Sequence, residues 1–190
     1  MERKSEHPFI VFEGIDGTGK STVSALVAEK IGATRVATPM EPYASIRPKF
    51  SEETWNPLDS FKFYLEAVKY ASGQIEQMCQ DGAVVCDRFI ASTYAYHTGM
   101  GLSPETAKAM IEEADLLQPT IGIQLEAIDE VIERRLAHRG SKPLKKEWLE
   151  KIRKSYELFN YTIVDTTNLT PEEVANNIVD ILSDREVIKR

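Results

Sequence analysis

The stretch FEGIDGTGKST, residues 12–22, follows a short apolar run, and it decides how the rest of the chain is interpreted. Three glycines lie within six positions, and regular helices and strands disfavour such a composition. Glycine frees the backbone to adopt positive φ angles and to approach another group closely. Two questions follow: what this backbone approaches, and why an acidic residue, Asp16, lies in the middle of the stretch.

Residues 14–21 fit the pattern G-x-x-x-x-G-K-[S/T] without departure, between a strand-like run and a helical pattern. Successive N–H groups of such a loop point inward and bind anions, and the new helix adds its free N–H groups. Lys20 would place its charge on the β- and γ-phosphates of a nucleotide, and Ser21 would offer its hydroxyl to Mg²⁺. The alternative is a glycine-rich turn without a ligand. The predicted phosphate-binding residues are Gly14, Ile15, Asp16, Gly17, Thr18, Gly19, Lys20, Ser21 and Thr22.

The loop pattern explains the glycines but not Asp16, because a carboxylate in an anion-binding nest repels phosphate unless it points elsewhere. Two interpretations remain open at this point. Asp16 is either a surface turn residue or a carboxylate that accepts hydrogen bonds from the hydroxyls of a second substrate.

Length, charge and cysteine content limit the class of protein. The 190 residues predict one domain over the whole chain, and the net charge of −7 argues against a nucleic-acid partner. Cys79 and Cys86 lie in apolar surroundings, so we expect two core side chains and a reducing compartment. No apolar run approaches the ~20 residues of a membrane span. We therefore expect a cytoplasmic protein that neither enters a membrane nor carries a signal peptide.

Apolar runs alternate with helical patterns along the chain, which predicts an α/β fold with helices on both faces of a parallel sheet. The runs at 9–14 and 82–87 predict buried strands, and weaker candidates lie at 34–38, 120–126 and 161–167. The predicted class is thus a three-layer α/β/α fold around a central parallel five-stranded sheet. The predicted helices are Lys20–Ile31, Pro57–Gln80, Ile128–His138, Trp148–Phe159 and Pro171–Leu182.

A second acidic position, Asp87, ends the apolar run AVVCD and precedes Arg88. At the end of a strand beside a phosphate loop, a carboxylate can hold Mg²⁺ or orient an attacking oxygen, and an arginine can bind phosphate bidentately. The alternative is a simple ion pair at a strand end. Residues 90–99, IASTYAYHTG, would either line a pocket for a flat ring or form an ordinary amphipathic helix.

Positive charge is concentrated between Glu133 and Lys154, where nine Lys/Arg residues stand against three Asp/Glu residues. Such a segment is either a solvated helix face or a clamp for an anion. Its spacing alone favours the solvated face.

At this point the sequence resembles the thymidylate kinase family of P-loop nucleoside monophosphate kinases. The resemblance covers most of the chain and rests on FIVFEGIDGTGKST, Glu41-Pro42, VVCDRFIASTYAYHTG, ERRLAHRG and YTIVDTTNLTPEEVANNIVDIL. It implies transfer of a phosphoryl group from Mg·ATP to a deoxynucleoside monophosphate, with dTMP as the expected acceptor. It also implies a homodimer packed through long helices, a helical acceptor-binding region over residues 39–80 and a short lid over 138–147.

The resemblance also implies roles for individual residues. Asp16 would contact the 3′-hydroxyl of the acceptor, and Asp87 would serve the metal and the acceptor. Gly17 falls where some members carry an arginine for the transferred phosphoryl group, so here that charge would come from the lid. This reverses the interpretation of the basic segment. The lid candidates are Arg134, Arg135, Arg139 and Lys142, of which Arg135 and Arg139 are the predicted catalytic residues. The other predicted acceptor contacts are Arg88, Ser92, Thr93 and Tyr96.

Departures from the family pattern cluster around the acceptor. Met40 replaces an arginine that helps to bind the acceptor phosphate, and Arg47 is the candidate substitute. In the long helix Leu65 and Lys69 have the spacing of a stacking phenylalanine and a base-contacting arginine, with weaker chemistry. His97 stands where glutamine is common. A kinase of another nucleoside monophosphate or of a deoxynucleoside therefore stays open, as does a nucleotide-binding module without turnover.

Overall fold

Five parallel strands form one sheet in the order β2-β3-β1-β4-β5. The computed structural model describes residues 5–47 and 56–188 of the chain. The sheet confirms all five predicted strands and the predicted fold class, because short apolar runs pair in parallel between helical crossovers. The strands are β1 (Phe9–Glu13), β2 (Thr34–Ala37), β3 (Val84–Asp87), β4 (Ile121–Glu126) and β5 (Thr162–Asp165).

Helices connect the strands and cover both faces of the sheet. Their bounds are α1 (Lys20–Ile31), α2 (Tyr43–Ile46), α3 (Pro57–Asp81), α4 (Ile90–Gly99), α5 (Pro104–Glu113), α6 (Asp129–His138), α7 (Lys146–Tyr156) and α8 (Pro171–Asp184). A 3₁₀ turn, Glu157–Phe159, follows α7. Within residues 5–47 and 56–188, no helix has the length and apolar character that a bilayer crossing requires.

The predicted helices are confirmed, with small differences at their ends. α6 begins one residue after the predicted start because Ile128 keeps an extended backbone, with ψ 153°. α7 begins two residues before Trp148. Residues 90–99 form a helix, and α5 was not predicted, although Ser103-Pro104 carries the N-cap and first-turn proline signal.

The alternation of side chains along β1 builds two cores. Phe9 and Val11 pack with α3, α4 and α5 on one face, whereas Ile10 and Phe12 pack with α1 and α8 on the other. β1 is buried along its whole length, as a central strand of a parallel sheet should be. Cys79 and Cys86 are buried free thiols on the first of these faces, which confirms their predicted role in the core.

Helices α4 and α7 approach each other closely at Gly99. A Cβ atom built on Gly99 would lie 2.5 Å from Ile152 Cγ1 and 2.9 Å from the Ile152 backbone nitrogen. Any larger residue would therefore push the helices apart. Gly73, in the middle of α3, has no atom within 4 Å of the same position and meets no such obstacle.

We predict opposite effects of alanine at these two helical glycines. Gly99→Ala should lower the free energy of unfolding by about 1–3 kcal/mol, because the added methyl group overpacks a tight helix contact. Gly73→Ala should raise it by about 0.5–1 kcal/mol, because alanine loses less backbone entropy than glycine in a helix. Urea unfolding followed by circular dichroism measures both, and equal effects would contradict the close approach of α4 and α7 at Gly99.

Candidate active site

The phosphate loop connects β1 to α1 and owes its shape to three glycines with positive φ. Gly14 has φ 133°, and a Cβ atom on it would lie 2.3 Å from the carbonyl oxygen of Leu125. Gly17 has φ 91° and lies against Ile132 of α6, with 3.0 Å from its built Cβ to Ile132 Cγ2. Gly19 caps α1 with no side chain, so no capping side chain occupies the first N–H groups of α1. This arrangement matches an anion-binding nest at a helix N-terminus.

The Lys20 side chain folds back across the loop and is almost fully buried. Its Nζ donates to the carbonyl oxygen of Ile15 at 2.7 Å. Burial, together with the positive charge of Arg88, lowers the pKa of Lys20 to about 7, although the surrounding carboxylates oppose the shift. The lysine thus lies within the loop, where a bound anion would favour the charged form of its amine.

Arg88 follows β3 and takes a left-handed backbone conformation, φ 72°, that non-glycine residues rarely adopt. Its N–H donates to Phe12 O at 2.9 Å, and its carbonyl oxygen accepts the hydroxyl of Thr38 at 2.9 Å. These contacts, from β1 and from the segment after β2, hold the strained residue between its neighbours. Backbone strain of this kind is found mainly at functional sites, so it marks Arg88 as a candidate site residue.

The Arg88 guanidinium lies beside the phosphate loop. It donates to Ser92 Oγ at 2.9 Å, pairs with the Asp16 carboxylate and lies 5.5 Å from the centre of the Tyr96 ring. The Asp16 N–H in turn donates to the Tyr96 hydroxyl at 3.0 Å. Asp16 therefore points away from the anion nest toward Arg88, and its side chain is 59% exposed.

Asp87 lies at the end of β3 with its two oxygens in different situations. Oδ2 is 3.3 Å from Arg35 Nη2, and the same guanidinium donates to Ser21 O at 3.2 Å. Oδ1 is buried and has no hydrogen-bond partner among residues 5–47 and 56–188. A buried carboxylate oxygen without a donor is suited to a cation or to a water molecule bound to one.

A cleft of about 470 Å³ opens on the other side of the loop. It is lined by Thr18, Gly19, Thr22, Val23, Arg134, Arg135, His138, Arg139, Thr166, Leu169, Pro171 and Val174. One wall is apolar and the other carries the basic end of α6. The cleft is therefore suited to a flat ring with an anionic tail.

The two predicted catalytic arginines, Arg135 of α6 and Arg139 just after it, differ in their surroundings. Arg135 donates to Gly17 O at 3.3 Å, to Thr166 Oγ1 at 3.0 Å and to Thr166 O at 2.8 Å. Its guanidinium is thereby bound to the backbone of the loop and of the segment after β5. The Arg139 side chain makes no hydrogen bond within the part of the chain that the structure describes, although its charge lowers the pKa of Asp16.

Comparison with known proteins decides the family. The thymidylate kinase family profile matches residues 12–178. The chain belongs to the thymidylate kinase family. It is 33% identical over 189 residues to a probable thymidylate kinase of Methanocaldococcus jannaschii, covering 93% of this chain and 96% of that protein. The corresponding values for the thymidylate kinase of Coprothermobacter proteolyticus are 34% over 188 residues, 90% and 97%.

Solved thymidylate kinase structures share the fold. The enzyme from Candida albicans superposes with a TM-score of 0.77 at 17% identity, over 95% of this chain and 93% of that one. The enzyme from Ehrlichia chaffeensis gives 0.73 at 22% identity, over 93% and 98%. These likenesses confirm the predicted fold, and the profile and the relatives confirm the family resemblance.

The predicted acceptor residues Leu65, Lys69 and Arg47 have different surroundings. Leu65 is 4% exposed and lies on the side of α3 that packs in the core. The Lys69 side chain is 43% exposed and pairs with Glu66 at 3.0 Å. The helical spacing of the pair therefore gives one core and one surface side chain. Arg47 is exposed at the end of α2, and residues 48–55, which belong to the predicted acceptor-binding region, lie outside the described residues.

Ser92, Thr93 and His97 are buried on α4. The Ser92 hydroxyl is bound to other protein groups rather than directed to open space. The His97 ring lies 3.0 Å from Ser60 Oγ and 2.6 Å from Thr93 O, and burial lowers its pKa to about 4. His97 is thus neutral and connects α4 to α3.

Sequence reasoning missed four residues of the candidate site: Glu13, Arg35, Tyr156 and Thr166. The first two carried a usable signal, because charged residues inside strand-like apolar runs need a partner. Tyr156 and Thr166 lie in ordinary helical and strand-end contexts. Their contacts with Gly14 O and Thr18 O join residues more than 140 positions apart.

We predict that phosphate binding drives proton uptake by Lys20. With a pKa of about 7, its amine is largely neutral at pH 8. A bound polyphosphate favours the charged form and raises the pKa of Lys20. Formation of the complex therefore takes up ~1 proton per site. Calorimetric titration with ADP in buffers of different ionisation enthalpy measures this number. Lys20→Met should abolish the uptake, and a wild-type value near zero at pH 8 would contradict the prediction.

Proposed function

We propose that this chain transfers the γ-phosphoryl group of ATP to dTMP, giving ADP and dTDP. The observation that carries the proposal is the cluster of Arg88, Asp16 and Tyr96 beside the phosphate loop, in a member of the thymidylate kinase family. The family match favours this reaction over the alternatives left open by the sequence. Nothing in the comparisons favours a deoxynucleoside kinase or a non-catalytic module.

On the acceptor side, Arg88 supplies a permanent positive charge for the acceptor phosphate. Its surroundings support this role, since burial opposes the charge but Tyr96 and three other acidic groups raise the pKa of the guanidinium. Asp16, which is more than half exposed, retains lone pairs for a sugar hydroxyl. Tyr96 stands over Arg88 and would limit the space beside that sugar.

On the donor side, ATP would lie with its phosphates on the loop and its base in the cleft beyond Thr18. Leu169, Pro171 and Val174 supply apolar contacts for the base. The loop N–H groups and Lys20 stabilise the charge that spreads over the transferred group, so catalysis is positioning plus electrostatics. No covalent intermediate with the protein is required.

Ser21 and Asp87 are the residues that would hold Mg²⁺. The unpartnered Oδ1 of Asp87 fits this assignment. No cluster of three or more His, Cys, Asp or Glu residues suited to a metal occurs in the described ranges, and this donor set agrees with Mg²⁺, which takes most of its ligands from water and nucleotide phosphates. When bound, the ion would neutralise charge on the phosphate oxygens.

The lid would be the segment between α6 and α7, within residues 138–147. The structure has a loop there from Arg139 to Lys145, without regular secondary structure after Gly140. Because Arg135 is bound to loop carbonyls, we assign it to positioning of the loop. Arg139 is then the residue that faces the transferred phosphoryl group.

We also propose a cytoplasmic homodimer of this enzyme. The partly exposed face of the long helix α3, where Tyr70 is 40% exposed, is the candidate contact surface. The small-molecule substrates and the acidic net charge agree with a protein that has no nucleic-acid partner.

The acceptor is tested by a coupled ADP-release assay with dTMP, dUMP, dCMP, dGMP and thymidine. We expect the highest kcat/KM with dTMP, and strong turnover with only another acceptor would refute the proposal. Arg88→Ala should lower kcat/KM for dTMP about 10- to 100-fold, the worth of hydrogen bonds to a charged group. Unchanged kcat/KM would remove Arg88 from the acceptor site.

Arg135 of α6 and Arg139, which follows that helix, should give different kinetic effects. Arg139→Ala should lower kcat about 10²- to 10³-fold with an intact fold, because it removes a charge that acts in the transition state. Arg135→Ala should lower thermal stability as well, because it frees the loop backbone. Arg185→Ala, which removes only a surface contact with Thr162, is the control. Equal kcat for Arg139→Ala and the control would contradict the assignment.

A further inference from the structure

Glu13 is a carboxylate buried at the end of the central strand, and both of its oxygens are occupied. Oε1 accepts the backbone N–H of Phe89 at 2.8 Å and that of Ser92 at 3.1 Å. Oε2 accepts the hydroxyl of Ser92. Burial raises the pKa of Glu13, and these contacts with the charge of Arg88 oppose that shift. A charge in this position is costly unless it is fully paired, so its contacts indicate its purpose.

Glu13, at the end of β1, caps helix α4, which follows β3. Phe89 is the N-cap of α4 and has no polar side chain, so the helix cannot cap itself. The Glu13 carboxylate satisfies two of the free N–H groups at that end. Arg88 immediately precedes the capped residues, so the same carboxylate fixes where its strained backbone leads into the helix.

The side chains continue this arrangement as a directed chain of hydrogen bonds. Arg88 Nη1 donates to Ser92 Oγ at 2.9 Å, and the Ser92 hydroxyl donates to Glu13. Tyr156 OH, 3.0 Å from Ser92 Oγ, donates to Gly14 O at 3.2 Å and closes the back of the cluster. The guanidinium is therefore held from the protein interior, while its other edge meets Asp16.

We infer that Glu13 is a positioning residue, which acts through Ser92 and the start of α4 to aim Arg88 at the acceptor phosphate. The inference rests on the proposed function, since it takes Arg88 as the group that holds that phosphate. A flexible arginine otherwise loses rotamer freedom on binding its ligand. The interior contacts hold it in place before the acceptor arrives, which lowers the entropy cost of binding the acceptor.

The test compares Glu13→Gln with Ser92→Ala and the double variant. Glutamine keeps the shape and one oxygen for the two N–H groups, but it removes the charge and cannot accept the Ser92 hydroxyl through its amide nitrogen. Each single variant should raise KM for dTMP about tenfold, the worth of a charged hydrogen bond. KM for ATP should change much less than KM for dTMP, because none of the residues that line the donor cleft is hydrogen-bonded to Glu13 or Ser92. The double variant should be no worse than the single ones, since both break the same chain.

Thr120→Val is the control, because the Thr120 hydroxyl accepts the N–H of Phe9 at 3.0 Å, at the opposite end of β1 from Glu13. It should lower Tm without changing KM for dTMP. Equal increases in both KM values for Glu13→Gln, or additive effects in the double variant, would overturn the inference. If Glu13→Gln does not fold, Ser92→Ala decides alone, because it leaves the cap in place; an unchanged KM for dTMP would then refute the role.

Failure of the proposed function would be visible separately. The wild-type chain would then turn over another acceptor in the assay panel, and the same variants would be measured with that acceptor. A selective rise in its KM supports the role of Glu13, and an unselective one refutes it.

Discussion

The pairing of β1 with β3 is the constraint on which the site depends. The register sets Phe12 level with Asp87, so Glu13-Gly14 leaves one strand beside the point where Arg88 leaves the other. The loop, the metal-suited carboxylate and the guanidinium thus meet at one edge of the sheet, although they come from distant parts of the sequence. A shift of one residue would move the side chains of either strand to the opposite face of the sheet, from one core to the other.

Charge balance explains why so many ionic groups share this edge. Three acids, Glu13, Asp16 and Asp87, face three bases, and all lie within the same connected set of contacts. Such groups are tolerated away from water only when they are paired. Under the proposed function, the phosphates of two substrates would add further negative charge beside the cleft that Arg134, Arg135 and Arg139 line. The bases of the balanced set are Lys20, Arg35 and Arg88.

The sequence was sufficient for features that follow from local pattern and failed for those that depend on distance in space. The loop, the five strands and the capped helix α8 each carry their own signal within a few residues. The contacts of Arg135 carry no such local signal, because its partner Gly17 lies 118 positions away. Leu65 has the spacing expected of a base contact, yet its side of α3 faces the core. Spacing defines a helix face, and only packing defines what that face meets.

The contact between Gly17 and Ile132 has a consequence for how this enzyme can change by mutation. Some members of the family carry an arginine at the loop position of Gly17. In this chain a side chain there would meet Ile132 at 3.0 Å and would start from a backbone with φ 91°. A single substitution toward arginine would therefore strain the loop and displace α6. An arginine in the loop is thus coupled to the packing of α6, and relief of the strain would call for a second change at Ile132 or Leu136.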